Sequence, residues 1–176
     1  MITHPFLYFC PPKAKYLLLG SFCARPQVGY DWFYGTKVNQ FWSIIESVYN
    51  IKLENKEAKQ RLFTKLGIAI SDVILECDRN AANNSDTSLV NPVFNTKIIS
   101  NILKKNKISK IYFSSKFAEN LFKRNFGELM DKYISLEFIV LPSPSPRNAR
   151  FCKSVKFSIY RFLLPKCIYY LWNFIL

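Results

Sequence analysis

Apolar residues recur along this chain in two periods, and the alternation between them sets out its elements. Residues 16–19 form a short apolar run that ends in Gly20-Ser21, which reads as a buried strand feeding a turn. Residues 21–38 are too long for a simple connection and mix Gly, Pro and aromatics, the kind of irregular segment that compact domains keep for function. From Asn39 onward, Phe41, Ile44, Ile45 and Val48 fall at helical spacing, so Asn39 sits at or near a helix start. Residues 54–66 read as a charged helix closed by Gly67, residues 68–75 as a strand leading to Glu76-Cys77-Asp78, and residues 80–91 as a polar loop. Residues 96–104 then look helical, 108–113 form a strand, 116–126 a helix and 136–141 the last strand. A helix after Pro146 carries the chain to its end.

Strands that alternate with helices predict the α/β class, here a three-layer α/β/α domain around a mainly parallel central sheet of about four strands. A length of 176 residues fits a single domain over residues 1–176, and the chain shows no internal repeat, linker or low-complexity tract. In open sheets of this class ligands bind in the crevice outside the carboxyl ends of the strands. Three segments would meet there: Gly20-Ser21-Phe22, Asn39-Gln40-Phe41-Trp42, and the loop Leu141-Pro142-Ser143-Pro144-Ser145-Pro146.

Composition narrows the partners. Hydrophobic residues make up 49% of the chain, which excludes disorder. Lys+Arg 25 against Asp+Glu 12 gives a formal charge of +13, which points to a polyanion, with nucleic acid ahead of a membrane surface. The competing reading spreads those lysines over an ordinary solvated surface. Five cysteines without a Cys-x-x-Cys pair, and His4 as the one histidine, make no zinc site and suit free thiols in a reducing cytosol. Residues 1–12 lack the basic start and continuous apolar run of a signal peptide. Residues 155–176 are very apolar, but Lys156, Arg161 and Lys166 interrupt them and Pro165 breaks them. A membrane span needs ~20 mostly uncharged residues, so a buried terminal helix kinked or broken at Pro165 is expected instead.

Asn39 has two readings from residue type alone. It can cap the helix that follows, or it can present an amide to a ligand. Tyr30, Trp32, Phe33, Tyr34 and Phe41 lie within a few residues of it. Aromatic planes beside an amide suit a base flipped out of a nucleic-acid stack, which needs one surface to stack on and one edge to bond. Core packing is the competing reading, and it fits Phe41 or Trp42 well. Asp72 and Asp86 could act as carboxylates beside a cation, or serve as turn and cap residues. Lys116, after Ser114-Ser115, could reach a phosphate, act as an amine nucleophile or remain an ordinary surface lysine, and no lyase activity is expected.

An ordered set of short motifs runs over nearly the whole chain. It comprises His4-Pro5-Phe6, Leu17-Leu18-Leu19-Gly20-Ser21-Phe22, Trp32-Phe33-Tyr34-Gly35, Asn39-Gln40-Phe41-Trp42, Gly67-Ile68-Ala69, Ser71-Asp72-Val73-Ile74, Cys77-Asp78, Ser85-Asp86-Thr87-Ser88, the Ser/Pro loop and Asn148-Ala149. With this set the sequence resembles the uracil-DNA glycosylase superfamily, and most closely its hypoxanthine-DNA (deoxyinosine) glycosylase branch, related to the mismatch-specific uracil and thymine glycosylases. The resemblance implies a monofunctional enzyme of base excision repair that hydrolyses the N-glycosidic bond of hypoxanthine, and also of uracil, in DNA. It implies no cofactor and no metal, no membrane, and a monomer in the cytoplasm at the nucleoid.

By the same resemblance Asn39 is the catalytic residue, Tyr34 stacks on the base, Ser143 and Ser145 bond phosphates or the sugar edge, and Pro146 or Arg147 wedges into the strand. Beside these, Gly20, Ser21, Phe22 and Phe41 are candidates for the base pocket from their positions, and Lys116 for a DNA contact. Asp72, Ser85 and Asp86 are secondary candidates. The chain also departs from the family. Phe22 stands where mismatch-type relatives place a water-activating Asn, Thr36-Lys37-Val38 replaces a common His-Pro pair, Cys23-Ala24 replaces Pro-Ser, and Asn83-Asn84 precedes Ser85. The close cysteine pair with which some relatives bind an iron–sulfur cluster is missing. Two further readings stay open: a catalytically weak DNA- or lesion-binding protein on the same fold, and a basic protein of the membrane periphery.

Overall fold

The computed structural model describes residues 1–23 and 30–166. Its strands are β1 (Ile2–Thr3), β2 (Tyr8–Phe9), β3 (Tyr16–Gly20), β4 (Ile68–Asp72), β5 (Ile74–Arg79), β6 (Leu89–Phe94), β7 (Lys110–Phe113) and β8 (Glu137–Val140). Its helices are α1 (Phe41–Tyr49), α2 (Lys56–Leu66), α3 (Thr96–Lys105), α4 (Lys116–Asn125), α5 (Gly127–Lys132) and α6 (Lys153–Leu163).

The four strands expected from the apolar runs pair in parallel in the order β4-β3-β7-β8, and β2 adds a short antiparallel edge against β4. Side chains of period two divide this sheet between two cores. Leu17, Leu19, Ile111 and Phe113 pack with α3, α4 and α5, whereas Leu18, Ile68, Ile70 and Tyr112 pack with α1, α2 and α6. The three-layer α/β/α arrangement follows. Every residue of β4 is buried, as an interior parallel strand covered on both faces requires.

Connections then place the site. β3 leads through α1 and α2 on one face to β4, while β7 leads through α4 and α5 on the other face to β8. β3 and β7 are neighbours, so the loops that leave them diverge to opposite faces and open a crevice at their carboxyl ends.

Helix boundaries follow local chemistry. Asn55 caps α2 by accepting from the Ala58 N–H (2.9 Å), and Gly67 closes it at φ 68° with its N–H on Phe63 and Thr64 carbonyls. Ser115 caps α4 through the Ala118 N–H (3.1 Å).

Several elements differ from the expectation. The strand expected over residues 68–75 breaks at Val73, whose N–H donates to the Gly20 carbonyl (2.9 Å) and whose carbonyl accepts from the Asn95 N–H (2.8 Å). The chain thereby leaves the main sheet for a second, antiparallel one of order β1-β5-β6. Residues 80–91, expected as loop, contain a 3-10 turn at Asp86–Ser88 and the start of β6, a strand too exposed to show apolar alternation. The helix expected over residues 116–126 ends at Asn125, and buried Phe126 turns the chain into α5. α6 starts at Lys153 and stops before Pro165, and the rest of the expected terminal helix, with Cys167, lies outside the described residues. No described helix is long and apolar enough to cross a membrane.

Phe113 ties the sheet to the α4 side, fully buried against Phe122 (5.4 Å between centroids) and Phe138 (5.9 Å). Phe113→Ala is expected to lower the unfolding free energy by about 3–5 kcal/mol. Urea denaturation measures this, and a loss below about 1 kcal/mol would contradict the packing described.

Candidate active site

A cavity of about 490 Å³ occupies the crevice between the β3 and β7 loops, within the usual size of a small-molecule site. Its floor is built at the ends of β3 and β4, where Gly20 pairs in register with Asp72. A Cβ on Gly20 would stand 2.2 Å from Asp72 Oδ1 and 2.7 Å from Tyr34 Oη. The two oxygens therefore converge over a position that only glycine leaves empty.

Asp72 is 4% exposed and held by His4, itself 2% exposed, across a 2.8 Å bond from His4 Nε2 to Asp72 Oδ2. His4 Nδ1 accepts the backbone N–H groups of Phe6 (3.2 Å) and Leu7 (3.0 Å). A nitrogen that accepts cannot carry a proton, so Nε2 carries it and donates to the carboxylate. Oδ1 has no hydrogen-bond partner among the described residues and borders the cavity.

Tyr34 has φ 57°, a left-handed conformation that costs a tyrosine of the order of 1 kcal/mol and aims its phenol at the floor. Its ring stacks on Phe41 (4.3 Å between centroids, 28° between planes). Its hydroxyl is buried, and burial, with the Asp72 carboxylate next, holds the phenol well above its ordinary range against the opposing influence of the neighbouring Ser114 side chain.

Asn39 lines the cavity from the segment that enters α1. Its Oδ1 accepts the Phe41 N–H (2.9 Å), an Asx-type bond one residue ahead of Gln40, the N-cap of α1, so the amide supports the helix start without occupying the cap position. Its Nδ2 makes no bond to a described residue, which leaves a donor beside the cavity. The same side chain can thus support a helix start and present an amide.

The far wall is the Ser/Pro loop. Ser143, Ser145, Pro146 and Arg147 all line the cavity, with Pro146 and Arg147 exposed. The Ser143 and Ser145 hydroxyls accept the N–H groups of Ser145 and Arg147 (3.3 Å each). Asp86 opens the 3-10 turn that Ser85 caps, and Ser21 Oγ donates to Asp86 Oδ1 (2.6 Å). Burial, the largest influence, pushes the Asp86 carboxyl up, against the Ser21 bond that favours its anion.

Of the residues singled out in the sequence, Gly20, Ser21, Phe22, Tyr34, Asn39, Asp72, Ser85, Asp86, Ser143, Ser145, Pro146 and Arg147 share this cavity. Two stand elsewhere. Phe41 is 1% exposed and lies behind Tyr34 as its support, away from the cavity wall. Lys116 is turned to Glu119, with which it pairs, and does not line the cavity. Trp32 and Trp42, stacked at 5.6 Å, belong to the core.

Sequence reasoning missed three residues that hold the walls. His4 fixes Asp72. Arg79 donates to the Ser85 carbonyl (3.2 Å), Ser88 Oγ (3.0 Å) and the Cys23 carbonyl (2.8 Å), tying the 3-10 turn to the β3 loop. Lys156 donates to Gln40 Oε1 (3.0 Å) and the Ser145 carbonyl (3.1 Å). The described residues contain no group of three or more His, Cys, Asp or Glu arranged to hold a metal ion.

No family model matches the chain, and neither does any curated protein. Among solved structures it is similar to the solution NMR structure of a "putative Uracil DNA glycosylase" from Methanosarcina acetivorans, at a TM-score of 0.64 and 20% identity over 93% of this chain and 99% of that one. The two chains share a fold. At that identity the likeness speaks for the scaffold, and the chemistry rests on the residues themselves.

The two uses of Asn39 are separable by stability. Asn39→Ala is expected to cost about 1 kcal/mol through the lost bond to Phe41 N–H, and Asn39→Ser to restore most of it. Urea unfolding of the three proteins measures this. An alanine variant as stable as the parent would remove the supporting role.

Proposed function

We propose that the protein is a monofunctional DNA glycosylase that hydrolyses the N-glycosidic bond of a deaminated base, hypoxanthine first and uracil second. The observation that carries this reading is the Asp72 acceptor on the cavity floor. His4 holds Asp72 by Oδ2 and leaves Oδ1 toward the cavity, beside Gly20. Deamination turns the –N=C–NH₂ edge of adenine or cytosine into –NH–C=O. The product edge donates where the parent accepted and accepts where it donated. A carboxylate acceptor fits the ring N–H of the product and meets the bare ring nitrogen of the parent with its own lone pairs.

The rest of the site is consistent with removal of that base. Tyr34, backed by Phe41, offers an aromatic surface to a base taken out of the stack. Departure of the base leaves positive charge on the sugar and negative charge on the base, so preorganised donors at the leaving nitrogen contribute most. Asn39 Nδ2 can serve there or orient water, since an amide is too weak a base to take a proton. Asp86 can face the sugar cation. Arg147, Ser143 and Ser145 lie where they can meet the phosphates, on a chain of formal charge +13.

The carboxylate also ranks the substrates. It disfavours an anion forming nearby. In hypoxanthine the leaving nitrogen is on the five-membered ring, away from the N–H that Asp72 would read. In uracil both are on one ring. Hypoxanthine therefore suffers less.

A panel of single-lesion oligonucleotides tests the reading through strand cleavage after alkali, with hypoxanthine release expected to exceed uracil release and intact adenine to be spared. No release of any deaminated base would leave a DNA-binding protein on this fold. Asn39→Ser is expected to keep its stability and lose base release by roughly 100-fold or more, with binding little changed. Asp72→Asn probes recognition. His4 Nε2–H would hold the new amide by its oxygen and turn its NH₂ into the cavity, a donor where an acceptor stood. Release of hypoxanthine should fall about 10- to 100-fold and its advantage over adenine should shrink, and an unchanged preference would exclude Asp72 as the reader.

A further inference from the structure

Two lysines are buried among the described residues, and only one has a counter-charge. Lys59, 8% exposed, meets the Asp31 carboxylate at 3.0 Å. Lys156, 1% exposed, has no carboxylate within ion-pair distance among the described residues, and residues 24–29 and 167–176 contain no Asp or Glu. Its ammonium bonds two neutral oxygens, Gln40 Oε1 (3.0 Å) and the Ser145 carbonyl (3.1 Å). Burial accordingly pushes this ammonium below its usual range. A buried charge met by amide dipoles, with a smaller contribution from Cys152, is costly in the free protein, and a hydrophobic side chain of similar volume is expected to leave stability unchanged or raise it.

The position of that charge suggests what compensates it. Lys156 stands in the first turns of α6, directly beneath the loop at residues 143–147. The Gln40 N–H donates to the Pro144 carbonyl (3.0 Å), so Lys156, Gln40 and the loop close a ring of hydrogen bonds, and Gln40 adjoins Asn39 in the chain. On the cavity wall, the Ser143 and Ser145 hydroxyls accept from their own loop and keep their hydrogens free to donate. An anion seated there would have the buried ammonium behind the loop whose Ser145 carbonyl it bonds, and a buried charge is screened less than an exposed one.

We propose that Lys156 is a phosphate-positioning residue: its charge, matched by no carboxylate among the described residues, is the counter-charge for a DNA backbone phosphate seated against the Ser143 and Ser145 hydroxyls. The same ring of bonds then ties the seated phosphate to the segment that carries Asn39. This rests on the DNA-binding part of the function proposed above.

The test is Lys156→Met, similar in length and uncharged, compared with the parent protein for melting temperature and for affinity to a fluorescein-labelled duplex containing hypoxanthine. The variant is expected to melt no lower than the parent. It should bind about tenfold more weakly at about 50 mM salt and about twofold more weakly at about 300 mM, a salt dependence shallower by roughly one unit. Should Lys156→Met fail to fold, Lys156→Gln, which keeps two N–H donors without the charge, is read in the same way. Unchanged affinity, or an equal loss at both salt concentrations, would overturn the proposal and make Lys156 a tether for the loop. Failure of the parent protein to bind DNA at all would instead overturn the function on which the proposal rests.

Discussion

The site depends on the absence of a side chain at Gly20. Parallel pairing sets Gly20 opposite Asp72, and any Cβ there would stand inside the contact distance of the Asp72 carboxylate and the Tyr34 hydroxyl. With that space open, three separate parts of the chain deliver polar groups to one floor. β4 brings Asp72, the segment after β1 brings His4 to hold it, and the aromatic loop after β3 brings Tyr34 at positive φ. Each alone is a local oddity: a buried histidine, a carboxylate at a strand end, a strained tyrosine. Together they place a fixed acceptor on the cavity floor, beside an aromatic ring and among the polar ends of the strands.

The central sheet was legible because parallel strands buried on both faces must be nearly continuous apolar runs, and residues 16–19, 68–72 and 110–113 are such runs. The second sheet was not. β1 has two residues, and β6 reads Leu-Val-Asn-Pro-Val-Phe with half of its positions exposed, so neither carries a period. The cavity-lining residues that could be read, such as Gly20, Ser21 and Asn39, sit where a run ends or a helix begins, positions that pattern marks by itself. His4 and Lys156 could not be read, because their partners lie 68 and 116 residues away and only the fold brings them together. Phe41 and Lys116 show the reverse limit. Adjacency in sequence put them near the site, but helix geometry turned one into the core behind Tyr34 and the other toward Glu119.

Asn39 illustrates why competing readings of one residue need not exclude each other. Its carbonyl oxygen is occupied by the Phe41 N–H, and that bond fixes the amide plane. Once fixed, the NH₂ group beside the cavity is preorganised and loses little freedom when a ligand arrives, which is what a donor needs if it is to favour a transition state. That bond is then the means by which the amide is aimed.

Recognition and catalysis make opposing demands on such a site under the glycosylase reading. A carboxylate that reads an N–H in the ground state repels the anion that forms as the base departs. The conflict is eased by distance: the reading group should lie at one end of the base and the stabilising donors at the other. Asp72 is at the strand ends, while Asn39 enters from the start of α1, beside the Ser/Pro loop to which Gln40 is bonded. A base spanning the two would be read at its deaminated edge and helped to leave at its glycosidic nitrogen. Under that reading, placing Asp72 and Asn39 on different elements would keep the charge of the departing base away from the group that reads it.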